Sequence, residues 1–293
     1  MMFEGLFLIF CFLAIGFGMK LAKKDYSDVL IQFCILVAFP ALILEKLHPL
    51  KLHFSDLSVI GIAIFSILFG FFVGFLLSRF LRLEKRSAAV VIMACGLGNT
   101  SFVGFPFVEA LYGQGALAYA LLFDQFGSFL FLSIFGSLIA AWGAGRDSSV
   151  KKLAISVFLF PPFIAILVSL ALKPFELPSF VMFGADKLSA TLLPLVTIAV
   201  GMKIDIRHIK ENIKQTAAIL AVKMGIVPLA VLAVLPSLAL SSKVSLIESA
   251  MPPMVMVAVF AHKYALNEKL AVSAVALGVF ASFAVIPLFY YVG

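Results

Sequence analysis

Charge is scarce in this chain. Only 13% of its 293 residues are Asp, Glu, Lys or Arg, whereas 63% are apolar and the mean hydropathy is +1.16. A soluble domain of this length could not hide so much apolar surface. Cysteine is equally sparse: Cys11, Cys34 and Cys95 all fall within apolar stretches. They offer no metal spacing and no disulfide framework, so they read as small core residues. The histidines His48, His53, His208 and His262 lie in loops or at helix ends. There is no HExxH, no GxSxG and no phosphate loop, which argues against an enzyme and against an ATP-driven pump. No linker is longer than the basic, amphipathic stretch at 203–214, which is expected at the cytoplasmic surface.

What the chain does have is apolar runs of bilayer length. Hydropathy places ten spans at about 3–19, 27–45, 57–79, 87–111, 115–142, 150–172, 184–203, 212–235, 244–262 and 267–292. Residues 1–19 lack a basic stretch before the apolar run, so they read as a first membrane helix rather than a signal peptide. The net charge of +7 would suit a nucleic-acid partner, but the basic residues sit in short loops between spans, where they set topology. Sixteen of the 22, among them Lys20, Arg79, Arg86, Lys151, Lys203 and Lys263, fall on one side if both termini are outside. Five (Lys46, Lys51, Lys173, Lys187 and Lys243) fall on the other, and Lys223 alone lies inside a span. The expectation is a multi-pass protein of the cytoplasmic membrane with both termini outside and no nucleic-acid partner.

Two spans carry helix breakers near their middles. Span 4 runs through Gly96-Leu97-Gly98-Asn99-Thr100-Ser101 to Pro106, and span 9 through Glu248-Ser249-Ala250-Met251-Pro252-Pro253. A backbone that breaks inside hydrocarbon leaves N–H and C=O groups unpaired, which is tolerated only against protein or a wet cavity. Ten helices make five per half, so any repeat is inverted, and matching broken segments in two halves point to a transporter's binding site. Tyr112-Gly113-Gln114-Gly115-Ala116-Leu117-Ala118 resembles Tyr264-Ala265-Leu266-Asn267-Glu268-Lys269-Leu270-Ala271, and that alignment brings Thr100 opposite Pro252. The second half of span 4 is expected to start near Thr100 with Asn99 as its N-cap. The second half of span 9 is expected to start at Pro252 or Pro253, because proline suits a first helical turn. Both new N-termini would present free N–H groups and a positive dipole end, a place for an anion. The bland alternative is a pair of kinks that only shape packing.

Three charges sit where hydropathy does not favour them. Lys223 lies about 15 Å deep in span 8, Asp124 lies at a similar depth in span 5, and Glu248 is one turn before the span 9 break. A charge at such depth is costly and functional by default, facing a cavity or a partner. Lys223 either pairs with Asp124 or Glu248 as a structural bridge, neutralises substrate charge, or stands in for a coupling ion. Asp124, Glu248 and Lys223 are the ion-coupling candidates, for H+ or Na+. Asn99, Thr100, Ser101, Gln125, Ser128, Pro252 and Pro253 are the substrate candidates, with Ser249 beside them. Gln32, Thr191 and Thr197 are weaker ones, more often packing than function. Glu109, His262 and Lys263 read as solvated helix ends.

The stretch Gly98-Asn99-Thr100-Ser101-Phe102-Val103-Gly104-Phe105-Pro106, continued by Glu109-Ala110-Leu111-Tyr112-Gly113, resembles the span 4 signature of the auxin efflux carrier family. Glu248-Ser249-Ala250-Met251-Pro252-Pro253, Lys223, Pro228 and Asp124 are similar to that family as well, and the chain's compactness is like that of its bacterial members. The resemblance implies the fold of sodium–bile acid symporters: an all-α membrane protein of two inverted five-helix repeats, about 1–147 and 148–293, with helices 4 and 9 broken and crossing. Helices 1, 2, 6 and 7 would form a scaffold, and helices 3–5 and 8–10 a transport domain that moves elevator-fashion. The implied function is secondary transport of small mono- or dicarboxylates, with Asn99 and Pro252-Pro253 at the crossing and Gln125 facing substrate. Glu248 fits the sodium site of bile acid symporters but helix 3 has no matching glutamine, so proton coupling or uncoupled passage is favoured. The alternatives are a receptor that binds an organic anion without moving it and a sodium-coupled symporter of the bile acid type. The expected partners are the anion and the lipid bilayer, with pairing of scaffold helices into a homodimer left open.

Overall fold

The computed structural model describes residues 2–49, 57–145, 159–205, 210–235 and 239–292. The expected boundary between halves, near 147, lies outside these residues, as do Lys51, His53, Lys151 and His208. The described residues are helical and form no strand.

Among the described residues, seven helices are long and apolar enough to cross a membrane: α1 (Met2–Leu21), α2 (Ser27–Leu47), α3 (Leu57–Phe80), and four more to be numbered in chain order. Next come two short helices separated by a break, α4 (Lys85–Gly96) and α5 (Phe105–Tyr112), and then the long α6 (Gln114–Gly143). They are followed by α7 (Pro161–Leu172), α8 (Ser179–Lys203) and α9 (Lys210–Val234). The chain ends with a second broken pair, α10 (Leu240–Ser249) and α11 (Val255–Lys263), and the long α12 (Glu268–Val292). Large apolar side chains such as Phe72, Phe75 and Phe180 are exposed on the outside, as a lipid-facing surface requires.

Three prolines widen their helices rather than ending them. A π turn at Cys34–Ala38 precedes Pro40, one at Thr100–Gly104 precedes Pro106, and one at Val222–Ile226 precedes Pro228. In each case the residue before the proline donates its N–H five residues back: Phe39 to Cys34, Phe105 to Thr100 and Val227 to Val222. Proline lacks a donor and its ring crowds the carbonyl four residues back, and a wider turn relieves both problems.

The helices pack in two neighbourhoods. α1 lies along the Leu192–Lys203 part of α8, and α2 packs against α7 and α8. Elsewhere α3 lies along α4, while α12 packs against α9, α10, α11 and α4. The two breaks meet between them. The Asn99 N–H donates to the Pro252 carbonyl at 2.8 Å and the Met254 N–H to the Leu97 carbonyl at 3.0 Å, pairing Gly98 with Pro253 in an antiparallel bridge. Backbone that would otherwise be orphaned in the interior is thereby satisfied by the other break.

Candidate functional site

The first break places its residues as the sequence suggests, with one exception in the chemistry. Asn99 occupies the N-cap position, and its carbonyl accepts from Val103 (3.2 Å) and Gly104 (3.0 Å). Its side chain, however, makes no cap hydrogen bond. The amide is 2% exposed, and Nδ2 has no partner among the described residues. The side chain thus keeps its donor for something else. The second break also differs from expectation. Its later helix begins at Val255 with Met254 as N-cap, not at Pro252 or Pro253. A residue that precedes proline is driven out of helical backbone. That applies to Met251 and Pro252, so the two prolines run through the break as part of the bridge.

A cavity of about 400 Å³ lies beside the paired breaks. Its polar wall is Gln32, Asn99, Ser101, Asp124 and Gln125, and most of the rest is apolar: Phe39, Phe102, Phe129, Phe160, Met254 and Met256 among others. Thr100, Ser101 and Phe102 supply the first N–H groups of one half-helix, and Val255 and Met256 those of the other. Asp124, 2% exposed, anchors the polar wall. Its Oδ1 accepts from Thr100 Oγ1 (2.5 Å) and Ser101 Oγ (2.8 Å), and its Oδ2 from Gln125 Nε2 (2.7 Å). Gln125 Oε1 remains buried and unpartnered among the described residues. Asp124 also opens a π turn, Asp124–Phe129, a distortion that recurs at functional sites.

Gln32, expected as a weaker candidate, also lines the cavity, whereas the remaining expected residues do not. Thr100 is fully buried and its hydroxyl is spent on Asp124. Ser128 is 1% exposed and its hydroxyl has no partner among the described residues, and Pro252 and Pro253 are buried. The Ser249 hydroxyl bonds Leu246 of its own helix, as Thr191 bonds Leu188 and Thr197 bonds Leu193. Lys223 does not bridge to a carboxylate: its ammonium donates to the Ser249 carbonyl at 2.6 Å. Both Glu248 carboxylate oxygens are buried with no hydrogen-bond partner among the described residues. They press on Gly104, where any Cβ would overlap them. Glycine at 104 is therefore a matter of space.

Several residues of the cavity carried no sequence signal. Asp28 and Lys203 form an ion pair of 2.8 Å at its rim, where the Asp28 side chain is 82% exposed. Phe39 packs on Phe102 (ring centroids 6.1 Å apart) and on Phe105 (5.6 Å). Phe39 and Phe102 line this cavity, whereas Phe105 lines a second one of about 240 Å³. That second cavity is bordered by Glu45, Lys46, Glu109, Gln114 and Ser189. There Lys46 donates to Glu45 (2.5 Å) and Gln114 (3.2 Å), Gln114 to Glu109 (3.2 Å), and Ser189 to Glu45. Glu109, expected as a solvated helix end, is part of this network.

A pocket at paired helix breaks within an apolar bundle is the geometry of a carrier, and comparison with known proteins agrees. Residues 1–290 match the family described as Membrane transport protein, the auxin efflux carrier family that the motifs of spans 4 and 9 resemble. The chain belongs to this family. An uncharacterized transporter of Methanocaldococcus jannaschii is 27% identical over 279 residues, covering 91% of this chain and 89% of that protein. An uncharacterized transporter of Methanothermobacter thermautotrophicus is 26% identical over 275 residues, covering 92% and 89%. Family and helices together make this a multi-pass membrane transport protein.

Proposed function

We propose that the protein is a secondary carrier of a small organic anion that works by alternating access. The seven long helices, α7, and the broken pairs α4–α5 and α10–α11 make ten crossings, arranged as two inverted repeats. α1, α2, α7 and α8 form the scaffold, and the remaining helices the transport domain that moves elevator-fashion. The packing of α1 on α8 and of α2 on α7 and α8 supports the division. The protein sits in the cytoplasmic membrane with both termini outside, an orientation that rests on the basic loops. In that orientation the Asp28–Lys203 rim faces the cytoplasm. Phe39, Phe102 and Phe105, backed by the Lys46–Gln114 network, close the path to the other side.

The observation that carries this reading is the unpartnered Asn99 Nδ2, buried at the wall of the cavity between two half-helix N-termini. A buried donor without a partner costs about 1–3 kcal/mol, which a ligand acceptor offsets. The apolar, aromatic remainder of the cavity suits a single anionic head on an apolar body, so a monocarboxylate fits better than a dicarboxylate. Such a head lies beside Asp124, and two negative charges in one apolar pocket repel. A proton bound with the substrate removes that repulsion, which makes Asp124 the coupling residue and predicts tighter binding as pH falls.

A thermal-shift screen of carboxylates at several pH values, in sodium and in potassium, tests this. The expected result is stabilisation by apolar monocarboxylates above dicarboxylates of similar size, larger at acid pH and equal in both salts. Stabilisation by dicarboxylates alone, or by none of the acids, would overturn the assignment.

A further inference from the structure

Lys223 takes no part in the cavity, yet it is 2% exposed and lies at the meeting of two helix ends. Its ammonium donates to the carbonyl of Ser249, the last residue of α10. A Cβ at Gly98, two residues beyond the end of α4, would stand 3.2 Å from both Cε and Nζ of Lys223. α10 therefore ends with its last carbonyl on this ammonium, and the chain just past the end of α4 runs beside it. Carbonyl ends carry the negative pole of a helix, and in broken-helix membrane proteins they are where free cations are held. Glu248, one residue before Ser249, adds a carboxylate whose oxygens find no hydrogen bond among the described residues. The negative end of α10 and a buried carboxylate one residue away thus share one interior beside the first break, and Lys223 is the positive charge set against them.

We propose that Lys223 is a tethered resident cation: it fills the position at the junction of the breaks that a free monovalent cation would otherwise occupy. The junction brings its own counter-charge and holds together without a metal ion. Truncating the side chain opens a site of matching chemistry, one that takes a small monovalent cation such as methylammonium or sodium. Gly98 is the positioning partner, since a side chain there would crowd the ammonium. The inference concerns the junction and stands whether or not an anion is carried, so it is tested without substrate.

The experiment measures Tm of the purified full chain at constant ionic strength in choline, methylammonium, sodium and potassium chloride. The wild type is expected to melt at the same temperature in all four. Lys223→Ala should melt lower in choline and recover with saturable dependence on methylammonium or sodium. Lys223→Met, which fills the space without charge, should melt lower and stay low in every salt. If Lys223→Ala does not fold in choline, the yield of monodisperse protein replaces Tm, and recovery in methylammonium carries the same meaning. Wild-type stabilisation by sodium over choline, a Lys223→Met protein as stable as wild type, or an equal loss for Lys223→Ala in every cation would overturn the proposal.

Discussion

The two breaks do the same architectural job with opposite chemistry. The first, Leu97–Thr100, uses glycine and asparagine and turns polar side chains toward the cavity. The second, Ala250–Met254, uses two prolines and shows the cavity mainly the apolar Met254. Prolines carry no N–H, so a break built from them leaves fewer donors to satisfy in the membrane interior. The first break hands its Asn99 N–H to the Pro252 carbonyl and leaves the Asn99 Nδ2 donor without a partner among the described residues. One break supplies the chemistry, and the other supplies an acceptor and a wall.

Substitutions can break or sharpen that contrast. The largest effect is expected for Asn99→Ala. Losing a hydrogen bond to a charged ligand costs about 1.5–3 kcal/mol, so anion affinity should fall about 10- to 100-fold while Tm is kept. Titration of the anion alongside thermal melting checks both halves. Gly104→Ala comes next, on stability. Its Cβ overlaps the Glu248 carboxylate and overpacking costs about 1–3 kcal/mol, much of which should vanish in a Glu248→Ala background. Melting of both single variants and the double variant measures that coupling.

Pro252→Ala keeps the carbonyl that Asn99 uses, so it should lower stability by about 1 kcal/mol through added chain freedom. Its anion affinity should stay within about threefold of wild type. A loss as large as that of Asn99→Ala would erase the distinction between the breaks. Smallest is Lys203→Gln at the rim, worth under about 1 kcal/mol and fading as salt rises, because the pair it removes is exposed. Affinity measured across ionic strength would show it.

The breaks were legible because Gly, Asn and Pro interrupt otherwise uniform apolar runs, and the restart at Thr100 could be read directly. The restart at Val255 could not, since proline's liking for a first turn competes with its effect on the residue before it, and the second effect wins in Met251-Pro252-Pro253. Lys223 was visible as a misplaced charge, but its partner is a backbone carbonyl, which no sequence pattern marks. Lys203 read only as one of the basic residues that set topology and Asp28 carried no signal, and only the packing of α2 near the end of α8 brings them to one rim. Among 32 phenylalanines, nothing singled out Phe39, Phe102 and Phe105 as the partition between two cavities.

The most direct test is uptake of a labelled apolar monocarboxylate into proteoliposomes holding the wild type, Asn99→Ala or Pro252→Ala. Saturable uptake by wild type and Pro252→Ala, driven by an inward proton gradient, with Asn99→Ala at the level of protein-free vesicles, is the predicted result. Wild-type uptake no greater than in protein-free vesicles, or equal uptake by all three proteins, would contradict a carrier whose first break holds the anion.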